Sequence, residues 1–158
     1  MRRSPDLRRR RRAAAAAAAT VDGHMNMSRE REPGADYAEV FKALGDPLRV
    51  RIFQLLLRVG EPVCVCEIVD ALEQPQYQIS RHMAVLKRAG LVGYRREGTW
   101  VYHYPLRPAG FSDGVWGELQ QSFAGDELLG EDLRRLQARM RLREAGRCVV
   151  GLQESCDC

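Results

Sequence analysis

The sequence predicts a mainly α-helical protein carrying one small β-hairpin. Three observations lead there. Apolar residues recur at helical spacing in successive segments between residues 36 and 89. The period then changes to two over 91–106, where Val92, Tyr94, Trp100, Tyr102 and Tyr104 alternate about a Glu97-Gly98 turn. Two further helical patterns follow, at 112–123 and 127–145. A short helix, a tight turn, a longer amphipathic helix and then a hairpin is the layout of a winged helix-turn-helix, whose second helix lies in the major groove of DNA.

Each element has its own warrant. Glu32-Pro33-Gly34 breaks the chain, and Tyr37, Val40, Phe41 and Leu44 then sit at helical spacing. Gly45 stops this first helix, Asp46 is placed to cap the next, and Pro47 stands at its first position, where a missing N–H is harmless. Leu48, Ile52, Leu55, Leu56 and Val59 make the buried stripe of the second helix, 47–59. A third, short helix is expected over 63–72, with Glu73-Gln74 as the turn after it. The fourth, 75–89, starts on Pro75, stops at Gly90 and turns Ile79, Met83 and Leu86 inward. Leu128, Leu129, Leu133, Leu136 and Met140 are the stripe of the last helix.

With 158 residues there is room for one core-bearing domain and tails, not for a two-domain enzyme. The net charge of +4 is misleading as a sign of DNA binding. Residues 1–24 alone carry +5, from seven arginines against Asp6 and Asp22, so the remainder is about neutral at −1. That basic start and its run of seven alanines superficially resemble a secretory leader, but with no Leu, Val or Phe the apolar part is feeble. No apolar run is long enough to span a bilayer, so a protein without membrane association, in the cytoplasm, is expected.

The outward residues of the fourth helix suit DNA. Gln76, Gln78, Ser80, Arg81 and His82 are candidates for base edges or phosphates, while Lys87, Arg88, Arg95 and Arg96 are placed to neutralise phosphate. The residues from Phe41 to Leu106, with FKALGDPLRVRIFQLL, CVCEIVDAL, QISRHMAVLKRAGLV and RREGTWVYHYPL in that order, resemble the ArsR/SmtB metal-sensing repressors. The resemblance implies a homodimer joined through its first and last helices, bound to double-stranded operator DNA and repressing a metal-resistance operon.

Five cysteines, an odd number, fall as Cys64-x-Cys66, a single Cys148 and Cys156-x-Cys158. In a chain without a credible leader this clustering favours reduced thiols for soft ions over a disulfide framework. The resemblance makes Cys64 and Cys66 ligand positions of the arsenite sensors of that family. The arsenite prototype has a further cysteine three residues on, where this chain has Val69. Cys148, Cys156 or Cys158 is then expected to supply the third sulfur, from the same protomer or from its partner, or else these three cysteines form a site of their own. Arsenite or antimonite is the expected inducer, with cadmium or lead as the nearest alternative and a redox or persulfide switch as another. Positions i and i+2 of a helix point about 200° apart, so chelation by Cys64 and Cys66 is expected to unwind the first turn of the third helix. His82 is expected at DNA and His103 in strand packing.

The predicted organisation is thus a disordered Arg/Ala-rich tail over 1–34, a winged helix-turn-helix domain over 35–126, a dimerisation helix over 127–147 and a flexible cysteine-containing tail over 148–158. With no Cys-x-x-Cys and no phosphate-cradling loop, an enzyme is not expected.

Overall fold

The computed structural model describes residues 34–152. The Arg/Ala-rich stretch, Cys156 and Cys158 lie outside the described residues. The elements are α1 (Ala35–Leu44), α2 (Pro47–Val59), β1 (Val63–Cys64), α3 (Val65–Leu72), α4 (Gln76–Arg88), β2 (Val92–Glu97), β3 (Trp100–Pro105), α5 (Asp113–Ser122), a 3-10 turn (Phe123–Gly125) and α6 (Glu127–Met140). This is a winged helix-turn-helix, mainly α, with α3 and α4 as the helix pair and β2–β3 as the wing.

Local chemistry sets the boundaries. The Asp46 carboxylate accepts from the Arg49 N–H at 3.0 Å, Pro47 follows, and Gly60 closes α2 in the left-handed region at φ 77. Ser112 and Asp126 cap α5 and α6 in the same way, accepting from Val115 N–H and Leu129 N–H. Between α3 and α4, Glu73 takes φ 52, a conformation in which side chains other than glycine, asparagine and aspartate are uncommon; the sharp turn of the helix pair demands it. Replacing the cap, Asp46→Ala, is expected to cost about 1 kcal/mol, read as a lower Tm in thermal unfolding.

The core centres on α2. Ile52, Phe53, Leu55 and Leu56 are fully buried, and Val40, Ile68, Leu72, Ile79, Met83, Leu86, Leu91 and Leu136 close around them. The buried run continues through Gln54 and Leu57, so α2 is a central helix rather than one with a single covered stripe. Its other flank meets α6, where buried Gln54 donates to the Leu129 carbonyl at 3.3 Å. Arg51 holds buried Asp132 of α6 through Nε at 2.7 Å and Nη2 at 2.8 Å.

Four expectations are corrected. Val63 and Cys64 are not helical: they form β1, antiparallel to β3 with Val63 opposite His103 and Cys64 opposite Tyr102, so the sheet has three strands in the order β1-β3-β2. In α1, Val40 and Ala43 turn inward, while Tyr37 and Phe41 are 44% and 64% exposed. Leu128 is likewise exposed, since Asp126 is the cap and the helix buries Leu129, Leu136 and Met140. The last helix ends at Met140 rather than near 145, and a tight turn with Ala145 and Gly146 at positive φ, closed by Glu144 N–H to Arg147 carbonyl at 3.0 Å, returns the chain. Cys148 is thereby packed, 1% exposed, where an unpatterned tail was expected. Among the described residues no helix is long and apolar enough to cross a membrane.

Candidate thiol centre and nucleic-acid interface

Three segments bring sulfur to one place. Pairing with β3 holds Cys64 extended, at φ −76 and ψ 150, as the cap of α3, and its N–H donates to Glu67 Oε2 at 2.8 Å. Cys66 follows in the first turn of α3. Cys148 arrives on the returning segment, its N–H donating to the Tyr102 hydroxyl at 2.8 Å. The sulfurs of Cys64, Cys66 and Cys148 all lie within 4.8 Å of one another, and Cys66 Sγ is 3.4 Å from Cys148 Sγ. Because Cys64 is extended and not helical, the two sulfurs of the Cys-Val-Cys box already converge. The expected unwinding of α3 is therefore not needed to bring them to one ion.

Arginines hold this arrangement. Arg143 grips the buried Glu67 carboxylate with Nε and Nη2, each at 2.8 Å, and donates to the Pro62 carbonyl at 2.8 Å. Arg139 binds Asp70 at 2.6 Å and donates to the carbonyls of Val150 and Gly151 at 2.7 and 2.8 Å. The first fixes the start of α3; the second pins the segment that carries Cys148. Neither arginine was a predicted site residue, because what marks them is a partner roughly 70 positions away in the chain.

The three thiols differ in proton affinity. A hydrogen bond from Cys66 lowers the Cys64 thiol to about 6, against burial and the Glu67 charge. Cys66 is pushed up, first by donating that bond and then by burial, and Cys148 is pushed up mainly by burial. Cys64 is therefore the thiol of the three that ionises most readily. Such a set suits a soft cation or a trivalent metalloid.

The residues expected to face DNA lie next to it. Gln76, Ser80, Arg81, Lys87, Arg88, Arg95 and Arg96 are exposed, and Gln78 and His82 are half-buried. His82 Nδ1 lies 3.5 Å from Asp46 Oδ1, tying α4 to the cap of α2. Lys87 Nζ sits 5.1 Å above the Tyr94 ring, tying α4 to the wing. Arg95 pairs with Glu97 at 2.9 Å, and Arg96 donates to the Gly98 carbonyl at 3.1 Å. As neighbours on one strand, Arg95 and Arg96 point to opposite faces of the wing. Tyr77 and Arg49 were missed by sequence reasoning; both line the hollow shared with Gln78, Arg81 and His82 on one flank of α4. Tyr77, 62% exposed in the first turn of this helix, was legible as an aromatic with no inward role. His103 is in strand packing as expected, buried, its ring held down at about 4 by burial and by Lys87.

A cleft of about 340 Å³ joins the two regions, with Cys64 and Cys66 on one side and Gln76, Ser80, Thr99 and Trp100 on the others. The thiol centre thus opens onto the start of α4 and the tip of the wing.

Comparison with known proteins places this geometry. Residues 46–94 match the family model described as bacterial regulatory protein, arsR family. An uncharacterized HTH-type transcriptional regulator of Methanocaldococcus jannaschii is 52% identical over 67 residues, covering 42% of this chain and 74% of that one. The chain belongs to the arsR family. It is therefore a helix-turn-helix transcription regulator and not an enzyme.

Two further arsR-type relatives bear on the centre. The arsenic resistance transcriptional regulator ArsR1 of Pseudomonas putida is 52% identical over 69 residues, 44% of this chain and 52% of that one. The cadmium resistance regulatory protein CadC homolog of Staphylococcus aureus is 43% identical over 68 residues, 43% of this chain and 55% of that one. The chain thus spans about half the length of each of these two relatives. The arsR-family match takes in Cys64, Cys66 and the whole of α4 but stops short of Cys148.

Proposed function

We propose that this arsR-family regulator represses a metal(loid)-resistance operon and leaves its operator when arsenite or antimonite bonds to Cys64, Cys66 and Cys148. The observation that carries the reading is the convergence of three buried sulfurs within 4.8 Å, with no other residue needed to complete a trigonal set. Cys148 takes the place of the third thiol that Val69 cannot supply. Cys156 and Cys158, outside the described residues, are further thiols for the same ion or for a second one.

In this reading Gln76, Gln78, Ser80, Arg81 and His82 meet base edges and phosphates, and Lys87, Arg88, Arg95 and Arg96 neutralise phosphate. A homodimer presents two such helices to two half-sites, and exposed Tyr37 and Phe41 on α1, with Phe111 against both rings, offer the apolar area for it. Bonding one ion draws the start of α3, the edge of the sheet and the Cys148 segment together. Because α4 packs on α3 and the wing belongs to the same sheet, both DNA-facing parts shift, giving a negative coupling of about 1–3 kcal/mol between ion and operator. The test is fluorescence anisotropy on the DNA upstream of its own gene, titrated with arsenite, antimonite, cadmium and lead. Release by the metalloids is expected, and undiminished DNA binding at saturating ion would sink the proposal.

Cadmium is the second reading, favoured by the likeness to the cadmium resistance regulator. Proton flow separates the two. Arsenous acid brings three hydroxyls, which leave as water by taking protons from two thiols and, since Cys64 is ionised above about 6, one from solution. Arsenite affinity is therefore expected to fall about tenfold per pH unit between pH 6.5 and 8.5. A cadmium ion displaces the protons of Cys66 and Cys148 instead, so its affinity rises by up to about a hundredfold per pH unit. Calorimetric titrations at several pH values read both slopes.

A further inference from the structure

We infer that Tyr77 helps to select the operator by packing its ring on the 5-methyl group of a thymine in the major groove. The inference rests on α4 being the helix that reads DNA, independently of the thiols, and it adds an apolar contact to the polar ones proposed above.

Tyr77 occupies the outermost edge of α4. It stands two positions before buried Ile79, which on a helix turns it about 160° away from the core-facing side. Arg81, Ala84 and Arg88 recur at helical spacing behind it, and all four residues of this outer stripe are exposed. Ala84 sets a single methyl group between the two arginines, so the floor of a groove can come close to the helix. Gln78 Nε2 donates to the Tyr77 hydroxyl at 3.2 Å, which orients the side chain, while 62% of the residue stays exposed. A hollow of about 340 Å³ runs beside the ring along the flank of α4, between Gln78, Arg81, His82 and Arg49 of α2.

The chemistry of the groove identifies what this ring meets. Residues at the beginning of a recognition helix are those that reach base edges. Of the four base edges in the major groove, thymine alone carries a methyl group; what else a base pair presents there is chiefly donors and acceptors. A phenol ring gains by covering a methyl group and loses by covering a polar atom that it cannot pair. Its hydroxyl is already bonded to Gln78, so the ring makes the choice. Arg81 and Arg88, on the same outer stripe, draw the phosphate backbone toward this face and bring the ring to the bases.

Removing the methyl group alone gives the cleanest test. The full chain is titrated onto the DNA upstream of its own gene, read by fluorescence anisotropy, with each thymidine replaced in turn by deoxyuridine. That exchange deletes the methyl group and keeps every base-pairing atom. At one or two positions the wild-type affinity is expected to fall about fourfold, the effect of returning one buried methyl group to water. Tyr77→Ala is expected to bind the unmodified DNA about tenfold more weakly and to be indifferent to deoxyuridine at those same positions. Tyr77→Phe, which keeps the ring, is expected to retain both the affinity and the methyl dependence. Circular dichroism shows each variant folded. Wild-type binding that ignores every methyl group, a methyl dependence that survives in Tyr77→Ala, or a Tyr77→Phe protein as weak as Tyr77→Ala would overturn the assignment, the last by making the hydroxyl the contact. Wild-type protein that does not bind this DNA at all would overturn the operator reading and this inference with it.

Discussion

Serine in place of Cys66 is expected to raise the arsenite concentration that releases DNA by at least about a hundredfold, equivalent to about 2.8 kcal/mol of lost binding, while the ligand-free variant still binds its operator. Oxygen is a poor partner for a soft ion, so removing one of three sulfurs removes a full bond. The fold has little reason to suffer. Serine is close in shape and slightly smaller, so it fits the space that Cys66 occupies. Cys64→Ser is expected to behave alike. Arg81→Ala, on the exposed side of α4, should give the converse: ligand binding kept, DNA binding lost. Anisotropy titrations of the three variants measure both properties on the same samples. A Cys66→Ser protein that still releases DNA at wild-type arsenite levels would remove the thiol centre from the mechanism.

Loss of Arg143 is expected to lower stability severely. Its guanidinium is 7% exposed and provides two hydrogen bonds to a Glu67 carboxylate that is itself fully buried. Arg143→Ala leaves that charge with the Cys64 N–H alone, inside protein. Removing one partner of a buried pair costs about 3–5 kcal/mol, which for a domain of this size lowers Tm by about 10 °C or more. Thermal unfolding checks the size, and a double variant checks the cause. Adding Glu67→Gln to Arg143→Ala removes the stranded charge and should recover part of the loss. An unchanged Tm in the single variant would show that water reaches Glu67 and that the pair contributes little.

How far the sequence reveals the molecule depends on how local the deciding interactions are. The stripe Ile52, Leu55, Leu56 and the inward set Ile79, Met83, Leu86 are written in the periodicity, and all six are buried. The caps at Asp46 and the stops at Gly45, Gly60 and Gly90 are equally local. Periodicity does not say what covers an apolar face, so Tyr37, Phe41 and Leu128 fit a stripe and yet lie exposed on the single chain. The two residues of β1 are beyond pattern reading. They are a strand only because β3, some forty positions later, pairs with them, and the same pairing turns Cys64 toward Cys66.

The thiol centre was half legible for the same reason. Cys64 and Cys66 stand in a recognisable box, and their chemistry follows from type and spacing. Cys148 stands in a stretch with no period, held by the Tyr102 hydroxyl and, through Val150 and Gly151, by Arg139. Those contacts use backbone groups and one distant side chain each, which leave no trace in residue order. The exposed, cationic side of α4 was legible in outline, but the local pairing of Arg95 with Glu97 and the opposed directions of the two wing arginines needed coordinates.

The third sulfur rides on a segment that belongs neither to the helix pair nor to the wing, and the family match ends well before it. On the proposed reading, the last of the three thiols and the DNA-reading helix thus lie in separable stretches of the sequence. On that reading, replacing the stretch after α6 alters the ligand set while leaving α4 untouched.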